Sequence, residues 1–432
     1  MSRNILLLCQ YDPYNAAMVV EHINAIYVHS ANRIYVLQDF VRRGGILPDG
    51  VNLDDFDAVI FHYSVSVALD SYIAPKSRVA LSRFAGLKIA FIQDEYRFVN
   101  KTVTAIRDLG IRLLFTCVPE TGIEKVYPAE RLPGVIKVNV LTGYNSGYLS
   151  LYDPIPLASR TVDIGYRGRV YPAWHGRSGR EKWEIAHGVL EHPLVATRGV
   201  RLDISCDETS RLYGQAWTDF IRNCRAMLGV ESGCSIFDFD GSISTAVETY
   251  TRLAGIDLHD DLQYLQVKKR FFDGLEDLIP LNQISPRCLE AIGLRTLLVL
   301  FEGEYSGILE PWRHYVPLRK DFSNMEQVLD AVADDDRVAE IVSRAYGEVG
   351  QSEALSYRTF VRKFDDLVER GCAGNPARAE VTGFYDKFPF RYVANPHSAG
   401  TPPLGSGRTN LLRAVWRRMP VHIRQRIINL IR

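Results

Sequence analysis

The chain has 432 residues, which is too long for one core of ordinary size and predicts two domains plus appendages. Hydrophobic residues make up 47% and aromatic residues 11% of the chain, so most of it is expected to fold rather than remain disordered. The 51 basic and 51 acidic side chains give a formal net charge of zero, which excludes the uniformly basic surface typical of nucleic-acid binding and makes any electrostatic function local.

Seven cysteines are scattered through mostly apolar runs, with no Cys-x-x-Cys pair and no Cys/His cluster. This pattern predicts buried thiols in a reducing cytoplasm and no metal site. The first residues predict a β-strand rather than a signal peptide, and no run approaches the roughly 20 apolar residues of a membrane span.

Short apolar runs bounded by turn residues recur in the N-terminal third of the chain. Between them lie polar or amphipathic stretches long enough for helices, for example 16–29 and 101–109. Runs buried on both faces that alternate with helices predict a parallel, doubly wound sheet. We therefore assign residues 1–155 to a first, Rossmann-like domain. Its predicted strands are 5–9, 34–37, 58–62, 88–92, 113–117 and 136–140.

A loop rich in Tyr, Gly, Asn and Pro at 143–156 ends this series, and a second α/β series follows. It is predicted to form a second Rossmann-like domain, residues 156–370. The next segment, 371–410, is rich in Gly, Pro and Ala and is predicted to be a linker, although its stretch FYDKFPFRYV could dock on the body. The predicted strands of the second domain are 162–166, 201–205, 226–230, 296–301 and 315–318, and the helices predicted to close it are 325–333, 337–346 and 355–369.

The tail, residues 411–432, contains several arginines and no acidic residue, and its apolar residues recur at helical spacing. A basic face opposite an apolar face that includes Trp416 is typical of a helix that lies on anionic lipid. The alternative is a helix docked on the protein's own body. The many arginines on the polar face favour the membrane interpretation.

The segment 284–324 carries the clearest functional signal. It predicts a short helix, a buried strand, a glycine-broken loop and a second strand, with one carboxylate, Glu290, in the helix. Ligands of α/β sheets lie beyond the carboxyl ends of the strands, where helix N-termini direct N–H donors outward. The segment is therefore predicted to hold a phosphate and a ribose.

The order Glu290, Ala291, Ile292, Gly293 and then a strand resembles the C-terminal half of retaining nucleotide-sugar glycosyltransferases of the GT-B type, whose signature is Glu-Ala, small residues with a Gly, and a strand. The resemblance implies two facing Rossmann-like domains, with the donor bound against the second. The family's second glutamate is replaced here by Asn282, which leaves the anomeric outcome open.

The same resemblance implies roles for individual residues. Glu290 would hold the donor ribose, and Ser285 and Arg287 would form a helix entrance at which Arg287 reaches a phosphate. In the loop 302–307, Gly303 or Ser306 would approach the donor through backbone donors.

Basic residues follow the strand VDIGY, and the resemblance implies that such a loop neutralises the donor pyrophosphate. A departing diphosphate gains charge in the transition state, which a fixed cation stabilises without a metal. Arg169 and Lys182 are the first choices, and the alternative is a solvated basic loop. The basic residues are Arg167, Arg169, Arg177, Arg180 and Lys182.

A rival motif, CSIFDFDGSIS at 234–244, resembles the nucleophile motif of haloacid-dehalogenase-like phosphatases. There Asp238 would attack phosphorus and Asp240 would act as acid and base, with Mg²⁺ between carboxylates. The motif lies in mid-chain, however, and no apolar strand precedes the acids that follow it. The alternative is a glycine turn whose aspartates bind backbone amides.

In the first domain, a predicted strand ends at Asp94 and Glu95. Carboxylates at a strand's carboxyl end face the interdomain cleft, so Glu95 or Asp94 could bind or deprotonate an acceptor hydroxyl. A structural cap on the next helix is the alternative.

These features together predict a GT-B glycosyltransferase that needs no metal and no cofactor. It would move a sugar from a nucleotide-diphosphate donor to a glycan or a lipid-linked glycan, held at the inner face of the membrane by its tail. The alternatives are the magnesium-dependent phosphatase and a non-catalytic scaffold for glycan assembly.

Overall fold

The computed structural model describes residues 2–14 and 16–399, which form two parallel sheets. The first has six strands in the order β2-β1-β3-β4-β5-β6. All of its pairings are parallel, and β1 to β5 bury nearly every side chain because helices cover both faces, whereas the edge strand β6 is partly exposed. Its strands are β1 (Asn4–Leu8), β2 (Arg33–Leu37), β3 (Ala58–Phe61), β4 (Leu87–Ile92), β5 (Leu113–Thr116) and β6 (Ile136–Asn139).

The second sheet has five parallel strands in the order β11-β10-β9-β7-β8. Every strand predicted from the sequence is present, with its ends shifted by at most two residues. The doubly wound α/β fold is therefore confirmed, and the predicted division at residue 155 lies between β6 and β7. The strands of this sheet are β7 (Val162–Arg167), β8 (Leu202–Ser205), β9 (Cys224–Gly229), β10 (Leu297–Phe301) and β11 (Val316–Leu318).

Helices connect the strands in both halves. Those of the first half are α1 (Ala17–His29), α2 (Pro75–Arg83), α3 (Val99–Leu109) and α4 (Glu120–Val126). Those of the second half are α5 (Arg177–Glu191), α6 (Pro193–Thr197), α7 (Gly214–Asn223), α8 (Ser242–Ala254), α9 (Asp261–Phe271), α10 (Pro286–Gly293), α11 (Met325–Ala333) and α12 (Asp335–Arg344). A π-helical turn at Ala345–Gly350 follows α12, and then come α13 (Tyr357–Gly371) and α14 (Phe384–Lys387).

Helix α13 corrects one prediction, because it packs on the first sheet instead of closing the second domain. Its buried side chains Phe360 and Phe364 share a core with Ile5 and Leu7 of β1. Phe364 also lies 6.1 Å from the ring of Phe91 and 5.9 Å from that of Phe115, measured between centroids. The amphipathic pattern predicted a helix that buries one face, but it carried no information about which sheet that face would cover.

The segment predicted as a linker also packs on the body over its described part. Phe384 and Phe388 are buried in the core of the first domain. The hydroxyl of Tyr385 donates to the carbonyl oxygen of Ile34 at 2.8 Å and accepts from the amide of Val36 at 3.2 Å. We refer to residues 378–399 as the C-terminal strap.

The predicted amphipathic tail, residues 411–432, lies outside the described residues. Among the helices that the structure does describe, none combines the length and the apolar character needed to cross a membrane.

Candidate active site

A cavity of about 290 Å³ lies between the two domains. Gln93 and Asp94, which follow β4, line it from the first domain, and the residues after β7 line it from the second. The carboxyl ends of strands in both sheets therefore contribute to one site, as expected for ligand binding in doubly wound sheets.

Positive charge dominates the wall of this cavity. Five basic side chains line it, against the two carboxylates of Asp94 and Glu290. Such a concentration of one sign in a partly enclosed space attracts an anion with several charges. The five basic residues are Arg167, Arg169, Lys182, Arg211 and Arg287.

Arg169 and Lys182 meet at the ring of Tyr171. The guanidinium carbon of Arg169 lies 4.3 Å from the ring centroid, and Nζ of Lys182 lies 4.7 Å from it. Gly168 lets the chain leave β7 at this point, because a Cβ there would come within 2.6 Å of the Tyr166 ring. Both predicted cations therefore reach the cavity.

Lys182 is a buried ammonium group, 8% exposed. Its Nζ donates to the carbonyl oxygen of Ser178 at 2.9 Å, and no carboxylate of the described residues forms an ion pair with it. Burial, together with the positive charges of Arg287 and Arg169, lowers the pKa of Lys182 to about 8. A bound anion would stabilise this ammonium group.

Helix α10 directs its N-terminus toward the cavity. Ser285 is its N-cap, but the side chain of Ser285 makes no capping hydrogen bond, and Pro286 follows. Arg287 donates to the carbonyl oxygen of Arg167 at 2.8 Å, which joins the start of α10 to the end of β7. Ser285 and Arg287 therefore lie at the cavity wall, where a helix N-terminus adds to the positive potential.

Glu290 lies one turn further along α10 and is half-buried. Its Oε2 accepts a hydrogen bond from Nε1 of Trp217 at 2.9 Å. Burial raises the pKa of Glu290, and the charge of His397 and the bond from Trp217 oppose the rise. The carboxylate thus lies at the wall with one oxygen held.

Arg167 contributes charge, but its donors are already used. Its guanidinium donates to the carbonyl oxygens of Ser210 at 3.2 Å and Asp203 at 2.9 Å. It also forms an ion pair with the Asp203 carboxylate at 2.8 Å. Its hydrogen bonds therefore hold the loop after β8 against β7.

The predicted contacts from Gly303 and Ser306 do not reach the cavity lining. A Cβ on Gly303 would lie 2.7 Å from the carboxyl carbon of Glu231, whose Oε1 accepts from the amides of Glu304 and Tyr305 at 2.8 Å. Ser306 Oγ accepts from the Ile284 amide at 3.0 Å and donates to Gln283 at 3.2 Å. The loop is held down on Glu231 and away from the cavity.

Glu95 is likewise not brought into the cavity. It is 1% exposed, and its Oε1 accepts from the amides of Cys117 at 2.7 Å and Val118 at 3.1 Å. Its Oε2 accepts from the hydroxyls of Thr116 at 2.5 Å and Tyr127. Glu95 fixes the loop between β5 and α4, and its exposed neighbour Asp94 lines the cavity instead.

The phosphatase interpretation of the 234–244 motif does not fit the geometry. Asp238 is buried, and both of its oxygens accept backbone amides, from Gly241 at 3.0 Å and Ser244 at 2.8 Å. The carboxylate caps the start of α8 and is 1% exposed, so a phosphate group cannot reach it. Within the described residues, no group of three or more His, Cys, Asp or Glu side chains could hold a metal ion.

Sequence reasoning did not identify several of the residues that line the cavity, among them one basic and one aromatic side chain. Arg211 lies in the loop after β8, and Trp217 lies on α7, whose first residue, Gly214, has a φ of 53°. The position of Arg211 could have been expected from the predicted strand β8. This strand pairs with β7, so the loops after both strands lie at the same edge of the sheet. Nothing in the sequence indicated that Trp217 would contact Glu290.

Comparisons with known proteins agree with this architecture. A structure of an alpha-glucosyltransferase in complex with UDP-glucose and DNA gives a TM-score of 0.51 at 9% identity, covering 85% of this chain and 100% of that one. A structure of alpha-glucosyltransferase (AGT) in complex with UDP gives 0.50 at 9% identity, with the same coverage. HepE of Anabaena in complex with UDP gives 0.46 at 10% identity, again over 85% and 100% of the two chains. No family model and no curated protein sequence matches the chain. The chain has the GT-B fold.

The first prediction concerns Glu95. Replacing it with Ala leaves two buried amides and two hydroxyls without their acceptor, which should cost about 3 kcal/mol or more in the free energy of unfolding. The measurement is urea denaturation. Asp94→Ala changes the exposed neighbour and is the matched control. Equal stability of the two variants would contradict the buried role.

Glu95 should also give stability a pH dependence. Burial raises its pKa to about 7, although its hydrogen bonds oppose the rise. Because the folded-state pKa lies above the unfolded value, this contribution is fully present below the unfolded pKa. It is lost as the pH rises through the folded pKa. Glu95→Gln, which cannot titrate, should remove this part of the slope.

Proposed function

We propose that the protein is a glycosyltransferase whose donor is a nucleotide-diphosphate sugar. The observation that carries the proposal is the convergence of five basic side chains and Glu290 on one interdomain cavity of a GT-B fold. A nucleoside diphosphate has both features that this wall can recognise, since its phosphates are anionic and its ribose offers hydroxyl donors. The neighbouring alpha-glucosyltransferase structures, which hold UDP or UDP-glucose, support this donor class.

In this proposal Arg169, Lys182 and Arg287 bind the diphosphate. Lys182 is the group whose interaction should strengthen most as the reaction proceeds, because its buried ammonium lacks an ion-pair partner among the described residues. The leaving diphosphate gains charge in the transition state, and preorganised cations stabilise it there without reorganising. The chain's own cations would thus supply this stabilisation without a metal.

Glu290 would accept hydroxyls of the donor ribose. Trp217 holds Oε2, which leaves the other oxygen for the ligand. Ser285 and the N-terminus of α10 lie on the same wall and would contact a phosphate oxygen. The predicted backbone contacts from Gly303 and Ser306 are not used in this proposal, because both residues are engaged in the loop over Glu231.

The acceptor would enter from the first domain, where Asp94 is the exposed carboxylate at the cavity. We assign the binding of the acceptor hydroxyl to Asp94 and not to Glu95, because both carboxylate oxygens of Glu95 already accept hydrogen bonds from buried amides and hydroxyls. We propose a glycan or lipid-linked glycan as acceptor, transfer with retention, and a location at the cytoplasmic face of a membrane.

The second prediction tests the cations. Arg169→Ala and Lys182→Ala should each lower kcat by about 100-fold, with a smaller loss in donor affinity, because they act on charge that develops in the transition state. Steady-state kinetics with UDP-glucose and a glycan acceptor give both numbers. Arg198→Ala, which removes two surface ion pairs of the same domain, is the control. Wild-type kinetics in both site variants would mean that neither cation acts on the leaving diphosphate.

The third prediction tests Glu290. Glu290→Ala should weaken binding of UDP about tenfold, because a charged hydrogen-bond acceptor for the ribose is lost. A thermal-shift screen with UDP, GDP and ADP first identifies the base, since a ligand held only by the native state raises Tm. Glu340→Ala, at the surface of α12, is the control. Unchanged affinity in a folded Glu290→Ala protein would remove Glu290 from the donor site.

The fourth prediction concerns the tail. Its arginines should each contribute about 1 kcal/mol near an anionic surface, while Trp416 and the isoleucines enter the acyl boundary. Deleting residues 408–432 should release the protein from phosphatidylserine vesicles in a cosedimentation assay and leave UDP binding intact. Added salt should weaken attachment of the full chain. Equal partitioning of both proteins would mean that the tail does not bind the membrane.

A further inference from the structure

An open groove of about 710 Å³ lies between the first half of the chain and helices α8 and α9 of the second. Apolar side chains contribute most of its surface, and Leu253 of α8 is 77% exposed there. Helix α9 also exposes Leu262 and Leu265, so this pair of helices presents a concentration of apolar side chains to solvent. Such a patch on a folded protein marks an interaction site. The apolar residues that line the groove are Phe98, Ala246, Tyr250, Leu253 and Phe271.

Two exposed cations lie over aromatic rings of this groove. The guanidinium carbon of Arg270, in the last turn of α9, lies 4.6 Å from the ring centroid of Tyr250. Nζ of Lys101, in the first turn of α3, lies 4.9 Å from the ring centroid of Phe98. Among the described residues, no carboxylate forms an ion pair with either cation. The groove therefore combines an apolar surface with positive charge that is open to an anionic group.

The groove adjoins the interdomain cavity on the side of the first domain. Tyr96 lines the cavity, and Phe98, two residues later, lines the groove. Consecutive Cα atoms are about 3.8 Å apart, so the Cα atoms of these two residues lie within about 8 Å of each other. Between them, Arg97 places its guanidinium over the rings of Phe98 and Trp174. A molecule in the groove therefore lies beside the wall of the cavity that carries the exposed Asp94.

Phe98 is held in place by the second domain. Its φ of 55° is a left-handed conformation, which is unfavourable for a bulky residue and persists only where its surroundings enforce it. Gly241, before α8, gives the ring its space, because a Cβ there would collide with it. The amide of Asn100 also donates to the carbonyl oxygen of Phe239 at 2.8 Å. The wall of the groove at Phe98 is thus built by both halves of the chain.

We propose that this groove binds the hydrocarbon chain of a phosphate-bearing lipid acceptor, whose phosphate contacts Arg270 and Lys101. Burial of a hydrocarbon chain removes the apolar surface of the groove from water, and the two cations match the anionic group to which such a chain is attached. The inference rests on the proposed function, because an acceptor presupposes sugar transfer. It selects the lipid-linked class of acceptor and places its lipid beside the cavity.

The lining favours a lipid chain over the glycan itself as the occupant. A glycan is bound through hydrogen bonds to its hydroxyls and through stacking on open aromatic faces. In the groove, cations lie over the rings of Tyr250 and Phe98, and the hydroxyl of Thr245 already donates to the carbonyl oxygen of Gly241 at 2.6 Å. Leu253 offers apolar contact alone, which a hydrocarbon chain matches.

The test is the affinity for farnesyl phosphate, measured by calorimetry below its critical micelle concentration. Leu253→Glu places a charge on the apolar surface at an exposed position and should weaken binding about tenfold. Arg270→Gln removes one cation and should also weaken it about tenfold. Leu151→Glu, at a leucine that is 76% exposed and outside the groove, is the control for the first variant. Arg252→Gln, in the last turn of α8 and outside the groove lining, is the control for the second.

The chain and the phosphate should both be needed, so farnesol and inorganic phosphate should each bind about tenfold more weakly than farnesyl phosphate, or worse. An acceptor must also be bound together with the donor. Saturating farnesyl phosphate should therefore leave unchanged the Kd of the tightest-binding nucleotide among UDP, GDP and ADP. Competition between the two would instead place the lipid phosphate among the cations of the cavity and overturn the inference.

Other results would also overturn the inference. If wild-type protein binds a nucleotide but not farnesyl phosphate, the groove is not a lipid site and the proposed function stands. Equal affinity for farnesyl phosphate in Leu253→Glu and Leu151→Glu would place the lipid elsewhere. If Leu253→Glu weakens cosedimentation with phosphatidylserine vesicles but not binding of farnesyl phosphate, the surface contacts a bilayer. If farnesyl phosphate binds but none of the three nucleotides does, the proposed function fails and the groove is not an acceptor site.

Discussion

The excess of positive charge at the interdomain cavity is the constraint on which the rest of the structure depends. Lys182 is buried without an ion-pair partner among the described residues, and Arg169 shares the ring of Tyr171 with it. Mutual repulsion and desolvation both destabilise this arrangement, as the lowered pKa of Lys182 reflects. A ligand with negative charge reverses the sign of that contribution.

Such a site requires two domains that remain apposed, and several contacts hold them, among them those of α13, of the strap and of Arg97. Helix α13 buries aromatic side chains on the first sheet, and the strap ends on α7. A third contact joins Arg97, which follows β4, to α8: its Nε donates to Ser244 at 2.9 Å, and its guanidinium carbon lies 4.9 Å from the centroid of the Trp174 ring. The turn capped by Asp238 belongs to this contact, because the backbone amide of Asp238 donates to the carbonyl oxygen of Tyr96 at 2.8 Å. The resemblance of this turn to a phosphatase motif thus reflects a structural cap.

The sequence was sufficient for the strands and for much of the cavity, but not for choices that depend on tertiary contacts. Apolar runs between turn residues identified all the strands because parallel strands are buried on both faces. At the end of β4 two adjacent carboxylates were equal candidates, and adjacent residues near a strand point in opposite directions. Only the structure distinguishes Asp94, at the cavity, from Glu95, beneath the loop. Gly303 was predicted to approach the donor through its backbone. The space beside Gly303 is instead filled by the side chain of Glu231, some 70 residues earlier in the chain.

The two chain crossings between the domains constrain how the cavity can open. The first crossing follows β6 and the second precedes α13, and they contact each other at Asn145. The backbone amide of Asn145 donates to the carbonyl oxygen of Leu355 at 2.8 Å, and the side-chain amide of Asn145 donates to the carbonyl oxygen of Val349 at 2.6 Å. Because both crossings are joined there, they form one pivot and not two independent linkers. The Arg97 contact and the end of the strap consist of a few hydrogen bonds, whereas α13 buries a row of aromatic side chains. Opening about Asn145 would therefore separate Arg97 from α8 and the end of the strap from α7 while α13 stays on the first sheet.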